Sequence, residues 1–524
     1  MTSKRKTNFK AYDQDQGLLL PPYLDELIPE RHLVRLVNRV ISSVRVDQLY
    51  RRFSDLGRSA YHPKMMLKVI IYGYCQKIYS GRRIAQALRQ DITFMWLSGQ
   101  QTPSYRSVNR FRSEYLKDIM EDVFTQVLDL LHREGYIKFE EYFVDGTIVE
   151  ADANKHSYVW KKNSERYKKA VQQRVHSLLE DIEKINEEED QRYGDQDLEE
   201  MGEKSDLTSE KVKEVSERIN KKLQEREDQK QSMADIKMRS RANKLEKEAE
   251  NLAKYEEQER IAGDRKSFSK TDTDATFNRM KDDSLKPSYN YQVCSENQFI
   301  TNYSVHQNAA DSINFPDHLQ NIVNRGAGYL PKNFVGDMGY GTEENFSLLQ
   351  KHEITSYLKF PGFFRESQNE YKNNPFIREH MLYDATGDFY TCPQGKHLMF
   401  YEERTTENPH GYKSTVRVYQ CENCKGCPCR EKCTKSIDKN RMVTVNLKLD
   451  AYRDETRKNL NSETGINFRK RRGYEIETFF GDTKHNQGSR RARLRGLAKN
   501  NLDLAWTAIS YNVRKLHKKE LLMN

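Results

Sequence analysis

A run of about 20 consecutive apolar residues, the length a membrane-spanning helix needs, occurs nowhere in the 524 residues. No membrane partner is therefore expected. The first residues, MTSKRKTNFKAYDQDQG, are basic but lack an apolar stretch, because Gly17 to Leu20 runs at once into Pro21-Pro22. No secretory signal is read there, and a cytoplasmic, nucleoid-associated location is expected. Cysteine is scarce and wrongly distributed for a secreted disulfide framework. Of the eight, Cys75 and Cys294 are isolated, while Cys392, Cys421, Cys424, Cys427, Cys429 and Cys433 crowd into one segment. An excess of one charge sign is lacking too: 88 Lys and Arg stand against 78 Asp and Glu, a net +10. Such a sum says little about a polyanionic partner until its location is known.

The charge is concentrated at the end of the chain. Residues 467–524 hold 14 Lys and Arg against five Asp and Glu, a local +9. A cluster of that size neutralises phosphates and makes affinity fall steeply with salt. A solvated basic tail accounts for residues 514–519 but not for the run beside EIETFFG. Trp506 and Tyr511 share an apolar stripe with Leu502, Ala505 and Ile509, which reads as packing.

Four other regions differ in pattern. Residues 1–135 read as a helical DNA-binding domain. Leu33, Val37, Val40 and Val44 follow a helical spacing, Pro63 suits the first turn of a helix through Tyr74, and Ser80 can cap one over 81–89. The turn SGQQTPSYRSVNRFR then leads into a basic helix from Ser104 carrying Arg106, Arg110 and Arg112, a helix-turn-helix candidate. A plain helical bundle with a solvated basic face fits the same pattern. Residues 157–269 are dominated by Glu, Lys, Gln and Arg. Val171, Val175, Leu178, Ile182 and Ile185 make a coiled-coil seam, Gly194 and Gly202 interrupt it, and Val212, Val215, Ile219 and Leu223 continue in a second arm. An antiparallel helical hairpin is expected, serving as spacer or dimer contact. Alternating strands and helices flank it at 136–156 and 270–361, which indicates an α/β domain with a mixed sheet. Residues 362–465 read as a loop-rich, Cys-rich insertion, and 466–524 as a basic helical completion of the core.

Two aspartates stand out. Asp145 interrupts the apolar run EYFVDGTIV, and Asp337 ends the strand of FVGDMGY. A carboxylate on a buried strand is costly unless it is hydrogen-bonded or bound to a cation, although strand-ending Asp also caps turns. In EIETFFGDTK, Glu477 and Lys484 are seven apart and share one helix face, whereas Glu475 must point largely away. Cys424-x2-Cys427 and Cys433, with Cys392 on a preceding hairpin, make a thiolate set suited to structural Zn²⁺. Cys421 and Cys429 are alternative members, and a loop of reduced cysteines is the competing reading. No nearby His-Glu arrangement supports a catalytic zinc.

Together, FVDGT, FVGDMGYGTEEN and RKRRGYEIETFFGDTKHNQGSRRARLRG resemble the three motif blocks of bacterial insertion-sequence DDE (Asp-Asp-Glu) transposases. PSYRSVNRFR and TCPQGK…CENCKGCPCREKC resemble the DNA-binding block and Cys-rich insertion of one branch. The resemblance implies an RNase H-like catalytic domain with Asp145, Asp337 and Glu477 as catalytic residues holding two Mg²⁺ or Mn²⁺ ions. It also implies Lys484 on donor phosphate, with Arg471, Arg472, Arg490 and Arg491 among the DNA contacts. One departure is plain. The family's Arg four residues before the Glu, and the Tyr three before that, are here Gly473 and Lys470, with Arg471, Arg472 and Tyr474 alongside. The implied activity is cleavage of donor DNA at the element's terminal repeats and joining of 3′ ends to target DNA, by a homodimer or larger assembly. The same residues leave open a non-catalytic DNA-binding protein and a metal-dependent nuclease of the same fold.

Overall fold

The computed structural model describes residues 23–51, 60–193, 207–225, 233–408, 410–436 and 438–523. They fall into two compact units. One comprises the described residues up to Glu134 with those from Ala505 onward; the other runs from Gly135 to Leu504.

The first unit is helical, with Leu33–Ser43, Pro63–Cys75, Gly81–Gln90, Ile92–Ser98, Tyr105–Arg110 and Met120–Arg133 as its main elements. Pro63 sits in the first turn, where its missing N–H costs no helical bond. Ser104 caps the helix it precedes by accepting the Ser107 N–H at 3.3 Å. That helix is shorter than the sequence suggests, because Phe111–Tyr115 continues as a π-helical turn. The end of the chain also groups differently from the expected 466–524 segment. From Ala505, the helix Leu497–Met523 supplies an inner element of this unit. Trp506 is fully buried and stacks on Tyr74 at 6.0 Å, and Cys75 Sγ lies 3.6 Å from the Ser510 carbonyl. The Trp506 stripe is packing, as its spacing indicates.

The second unit is built on a six-stranded mixed sheet. Its strands are β1 (Glu141–Glu150), β2 (Thr276–Arg279), β3 (Leu285–Glu296), β4 (Phe299–His306), β5 (Asn333–Gly336) and β6 (Thr355–Leu358). β3 pairs antiparallel with β1, β2 and β4, while β5 lies parallel to β1 and β6 parallel to β5. Among the helices that cover it are α1 (Asp311–Arg325) and α2 (Glu463–Gly481). Strand alternation assigns each its face. Phe143 meets Phe468 of α2 edge-on at 5.8 Å. Its neighbour Tyr142 points the other way, against Phe334 at 6.4 Å, which meets Phe315 of α1 at 5.2 Å. Burying a side chain such as Phe468 contributes about 2–3 kcal/mol, so α2 is anchored where it crosses β1.

Two segments differ from expectation. The charged segment leaves and returns through a two-stranded neck, Tyr158–Trp160 paired with Ser267–Ser269, close to the boundaries read at 157 and 269. Between them, among the described residues, stand three helices, Lys161–Tyr193, Ser209–Glu225 and Met233–Ala262, in place of the expected two-helix hairpin. The expected breaks at Gly194 and Gly202 lie outside the described residues. Val171, Val175 and Ile182 pack with Val212, Ile219 and Leu223, and the third helix closes this core with Met238, Ala242, Leu245, Ala249 and Leu252. Its seam has the 4-3-4-3 spacing, but two of its five residues are alanine, which carries little apolar contrast in so charged a segment. The Cys-rich segment is less loop-like than expected. It holds a five-stranded antiparallel sheet, Leu382–Asp384, Phe389–Thr391, His397–Glu407, Lys413–Cys421 and Met442–Val445, followed by the helix Leu447–Asn461. The long strand HLMFYEERTTE is exposed along most of its length, so it lacks the apolar alternation by which a strand is recognised. Among the described residues no helix is long and apolar enough to cross a membrane.

Candidate active site

β1 and β5 place the two aspartates together. Phe143 is in register with Val335, so two residues further along each parallel strand Asp145 and Asp337 are level. Helix α2 then lays Arg472 across them. Its Nη2 lies 3.1 Å from Asp145 Oδ1 and 3.5 Å from Asp337 Oδ2. One guanidinium nitrogen thus serves two carboxylates, while its Nε is buried without a hydrogen-bond partner. The Gly146 N–H donates to Asp145 Oδ1 at 3.0 Å, and the Gly339 N–H to Asp337 Oδ1 at 2.8 Å. Burial pushes the Asp145 carboxyl up to about 6, with Asp337 and Asp311 adding to the rise and Arg472 and the Gly146 N–H opposing it.

A third carboxylate was not foreseen. Asp311, the first residue of α1, accepts from Asn290 Nδ2 at 2.8 Å and from Gln292 Nε2 at 2.6 Å. The Gln292 carbonyl oxygen in turn receives the Tyr340 hydroxyl. The cluster packs under Gly146, where a Cβ would come within 2.2 Å of both Asp311 Oδ1 and Gln292 Nε2. This close approach is the physical reason for glycine after Asp145. Burial is also the main cause of the raised Asp311 pKa, and Asp337 adds to it.

The third block divides its roles. Glu475 is buried, accepting the Gln298 N–H at 2.7 Å and Arg471 at 3.1 Å. Arg471 also pairs with Glu141 and lies 5.1 Å over the Phe143 ring, so it braces α2 against β1. Glu477 is exposed and makes no hydrogen bond or ion pair among the described residues. α2 ends at Gly481 and a π-helical turn, Asp482–Asn486, follows, so Lys484 does not continue the ideal α-helical face of Glu477. Lys484 Nζ instead reaches Thr147 Oγ1 and, at 3.3 Å, the Ile148 carbonyl. Thr147 lies two residues from Asp145 on the same face of β1. Burial lowers the Lys484 pKa; Lys281 and Arg490 deepen the shift and Asp145 opposes it.

Of the other expected DNA contacts, Arg490 lies 3.0 Å from His485 Nδ1. Arg491 is held by the Ala151 and Ala153 carbonyls at 3.2 and 3.3 Å and by Asp152 at 3.1 Å. In the first unit, Arg110 pairs with Glu114 at 3.0 Å and Arg106 lies 5.9 Å over Tyr105. Arg112 points inward to the Tyr79 carbonyl at 2.8 Å, a bond that fixes the helix in its bundle.

The six clustered cysteines are unpaired and all line one small cavity of the Cys-rich segment, together with Arg430 and Arg441. Cys392 Sγ accepts the Lys396 N–H at 3.4 Å and Cys424 Sγ the Arg441 N–H at 3.3 Å. Burial pushes the Cys421 thiol up to about 11, helped by a hydrogen bond to Cys424. Cys433 is raised by burial, with Cys424, Cys392 and Cys427 adding to the shift. Among the described residues, no three or more His, Cys, Asp and Glu side chains are drawn together as a formed metal-ligand set. In the acidic site the Arg472 guanidinium stands between the two aspartates.

Residues 391–517 match the family model described as Transposase DDE domain, and residues 22–114 match the one described as Transposase domain (DUF772). The first match includes Glu477, Lys484 and the six clustered cysteines and leaves Asp145 and Asp337 outside it. No curated protein and no solved structure matches the chain. Transposase models matched in both halves of the chain support a transposase function and are consistent with a DDE transposase of an insertion sequence.

Proposed function

We propose that the chain is the transposase of a bacterial insertion sequence. It binds the element's ends in double-stranded DNA as a homodimer or larger assembly, cleaves the donor strands and joins their 3′ ends to target DNA. One observation carries this reading: Asp145 and Asp337 are level on adjacent parallel strands and share one cationic group. The order β4-β3-β1-β5-β6, three antiparallel strands followed by two parallel ones, supports an RNase H-like core.

Asp145, Asp337 and Glu477 are the catalytic residues in this reading, and their hard oxygen donors suit Mg²⁺ or Mn²⁺. The Arg472 guanidinium is a stand-in that marks the aspartate pair as a cation seat. Two bound divalent ions would supply activation of the attacking water or 3′-hydroxyl and stabilisation of the leaving oxygen. The chain's own contribution is positional. β1 and β5 keep the aspartates level, Asn290 and Gln292 fix Asp311 beside them, and Arg471 with Glu475 clamps the helix that carries Glu477. Arg471 and Arg112 are spent on internal contacts. Arg491, held by the Ala151 and Ala153 carbonyls and Asp152, is partly spent in the same way, so the DNA contacts fall chiefly to Lys484, Arg472 and Arg490 near the site, and to Arg106 and Arg110 in the first unit.

The test uses supercoiled donor DNA bearing the element's ends, with Mg²⁺ or Mn²⁺. Joined products support transposition. Cleavage without joining makes the protein a nuclease, and binding without metal-dependent cleavage overturns the enzymatic reading.

A structural zinc in the Cys-rich insertion belongs to the same proposal. Soft thiolates and the two N–H···S bonds suit a tetrahedral Zn²⁺ site, with Cys392, Cys424, Cys427 and Cys433 as ligands. Elemental analysis of the full-length protein is expected to give one zinc per chain, lost in Cys424→Ser. Metal-free protein in which every thiol reacts with a thiol reagent in its native state would contradict it.

A further inference from the structure

Lys359 is locked next to Asp337 by the backbone. Leu358 is in register with Gly336, and the N–H of the following Lys359 donates to the Gly336 carbonyl at 3.2 Å. The turn that carries Asp337 closes onto the same residue, since a Cβ at Gly341 would come within 2.4 Å of the Lys359 carbonyl oxygen. From above, α2 brings Arg469 to within one helical turn of Arg472, on the same side of the helix.

Both side chains rest on aromatic faces. Lys359 Nζ lies 4.8 Å from the Phe364 ring centroid, and the Arg469 guanidinium lies 5.5 Å from that of Phe363. The two rings are themselves in edge contact, with centroids 5.6 Å apart. Neither cation forms an ion pair with a carboxylate among the described residues, and Arg469 Nε is buried without a hydrogen-bond partner. Burial depresses the Lys359 pKa, Arg472 and Arg469 depress it further, and Asp337 opposes them. The cations are thus close enough to repel one another while the nearest acids are engaged by Arg472. Like charges held together on a fixed frame, with donors left over, favour an anion with several acceptor oxygens.

We propose that Lys359 and Arg469 form a phosphate seat beside Asp337, holding a backbone phosphate of the bound DNA strand next to the phosphodiester that is cut. The inference rests on the transposase reading for its ligand, DNA. Arg469 offers a planar fork and Lys359 a point charge, and the Phe363 and Phe364 rings limit how far either can swing.

Binding is read without divalent metal, by titrating the full-length protein with a labelled DNA duplex at several salt concentrations. Each phosphate contact contributes about 0.9 to the slope of log K against log salt. Lys359→Gln and Arg469→Gln are each expected to lower the slope by about 0.9 and to weaken binding several-fold at fixed salt. Lys359→Arg is expected to restore both. Lys359→Met keeps the stem packed on Phe364 and should behave as Lys359→Gln, which separates loss of charge from a folding defect. Exposed Lys372, on the Cys-rich insertion, serves as control, and Lys372→Gln should leave the slope unchanged. Unchanged slopes for both Lys359 and Arg469 variants overturn the phosphate seat, whatever the protein does to donor DNA. Lowered slopes in a protein that never cleaves donor DNA uphold the seat and overturn the transposase reading instead.

Discussion

Asp145→Asn is expected to lower donor cleavage and strand transfer by about 10³–10⁴-fold, the scale of removing a group that acts directly in catalysis, while duplex binding survives. Asn is nearly isosteric and can still accept the Gly146 N–H, so the strand keeps its local geometry. What it loses is the negative charge that the cations and Arg472 both require. Gel assays of cleavage and joining, set beside a binding titration, check both halves; full activity in the variant would remove Asp145 from the mechanism. The same carboxylate sets a pH dependence. Its pKa is raised to about 6 in the metal-free fold, so protons compete with cations below that value and not above it. Mn²⁺ affinity measured by calorimetry should be level above about pH 7 and fall up to about tenfold per pH unit below 6, the limit for one competing proton. The sign for folding is the reverse of the usual acid. A carboxyl whose pKa is raised on folding contributes stability that is present below its unfolded pKa, near 3.9, and lost as pH rises through 6. Metal-free Asp145→Asn is therefore expected to melt no lower than the parent at pH 8.

The second large effect separates two glutamates only two residues apart. Glu477→Gln is expected to reduce activity by about 10²–10³-fold or more with a change in stability within about 0.5 kcal/mol, because the side chain is exposed and unpaired. Glu475→Gln is expected to do the opposite. Its buried carboxylate receives the Gln298 N–H and the Arg471 guanidinium, and weakening that charge-assisted pair costs about 1–3 kcal/mol. Activity should persist wherever the protein remains folded. Thermal melts and cleavage assays on both variants decide the matter. If Glu475→Gln alone abolishes chemistry in a folded protein, the third catalytic residue has been assigned to the wrong glutamate.

The aspartate strands were legible because each breaks an expected pattern, an acid inside an otherwise apolar run. Asp311 was not, since an aspartate opening a helix is what any helix start looks like. Its importance depends on the β1–β3 register, which brings Gln292 and Gly146 together. Lys359 was hidden as an isolated cation in a chain rich in them, and Arg469 as one member of the basic run RKRR whose other residues drew the attention. The third helix of the charged insertion was missed because Ala242 and Ala249 make its seam faint, and the second small sheet because its longest strand is wet on both faces. The last helix posed a different difficulty. Nothing in a continuous helical pattern announces that its first turns belong to one compact unit and its remainder to another.

The neck formed by Tyr158–Trp160 and Ser267–Ser269 makes the charged insertion a topological cul-de-sac. The chain departs and returns through adjacent paired strands, so the three-helix bundle has a single doorway and the sheet beneath it does not depend on its length. β1 and β3 pair residue for residue across an interruption of more than a hundred residues, as though nothing stood between them. Loop closure becomes only slowly more costly as such a detour lengthens. A module attached in this way can be enlarged, trimmed or exchanged over evolutionary time while the two aspartates stay in register.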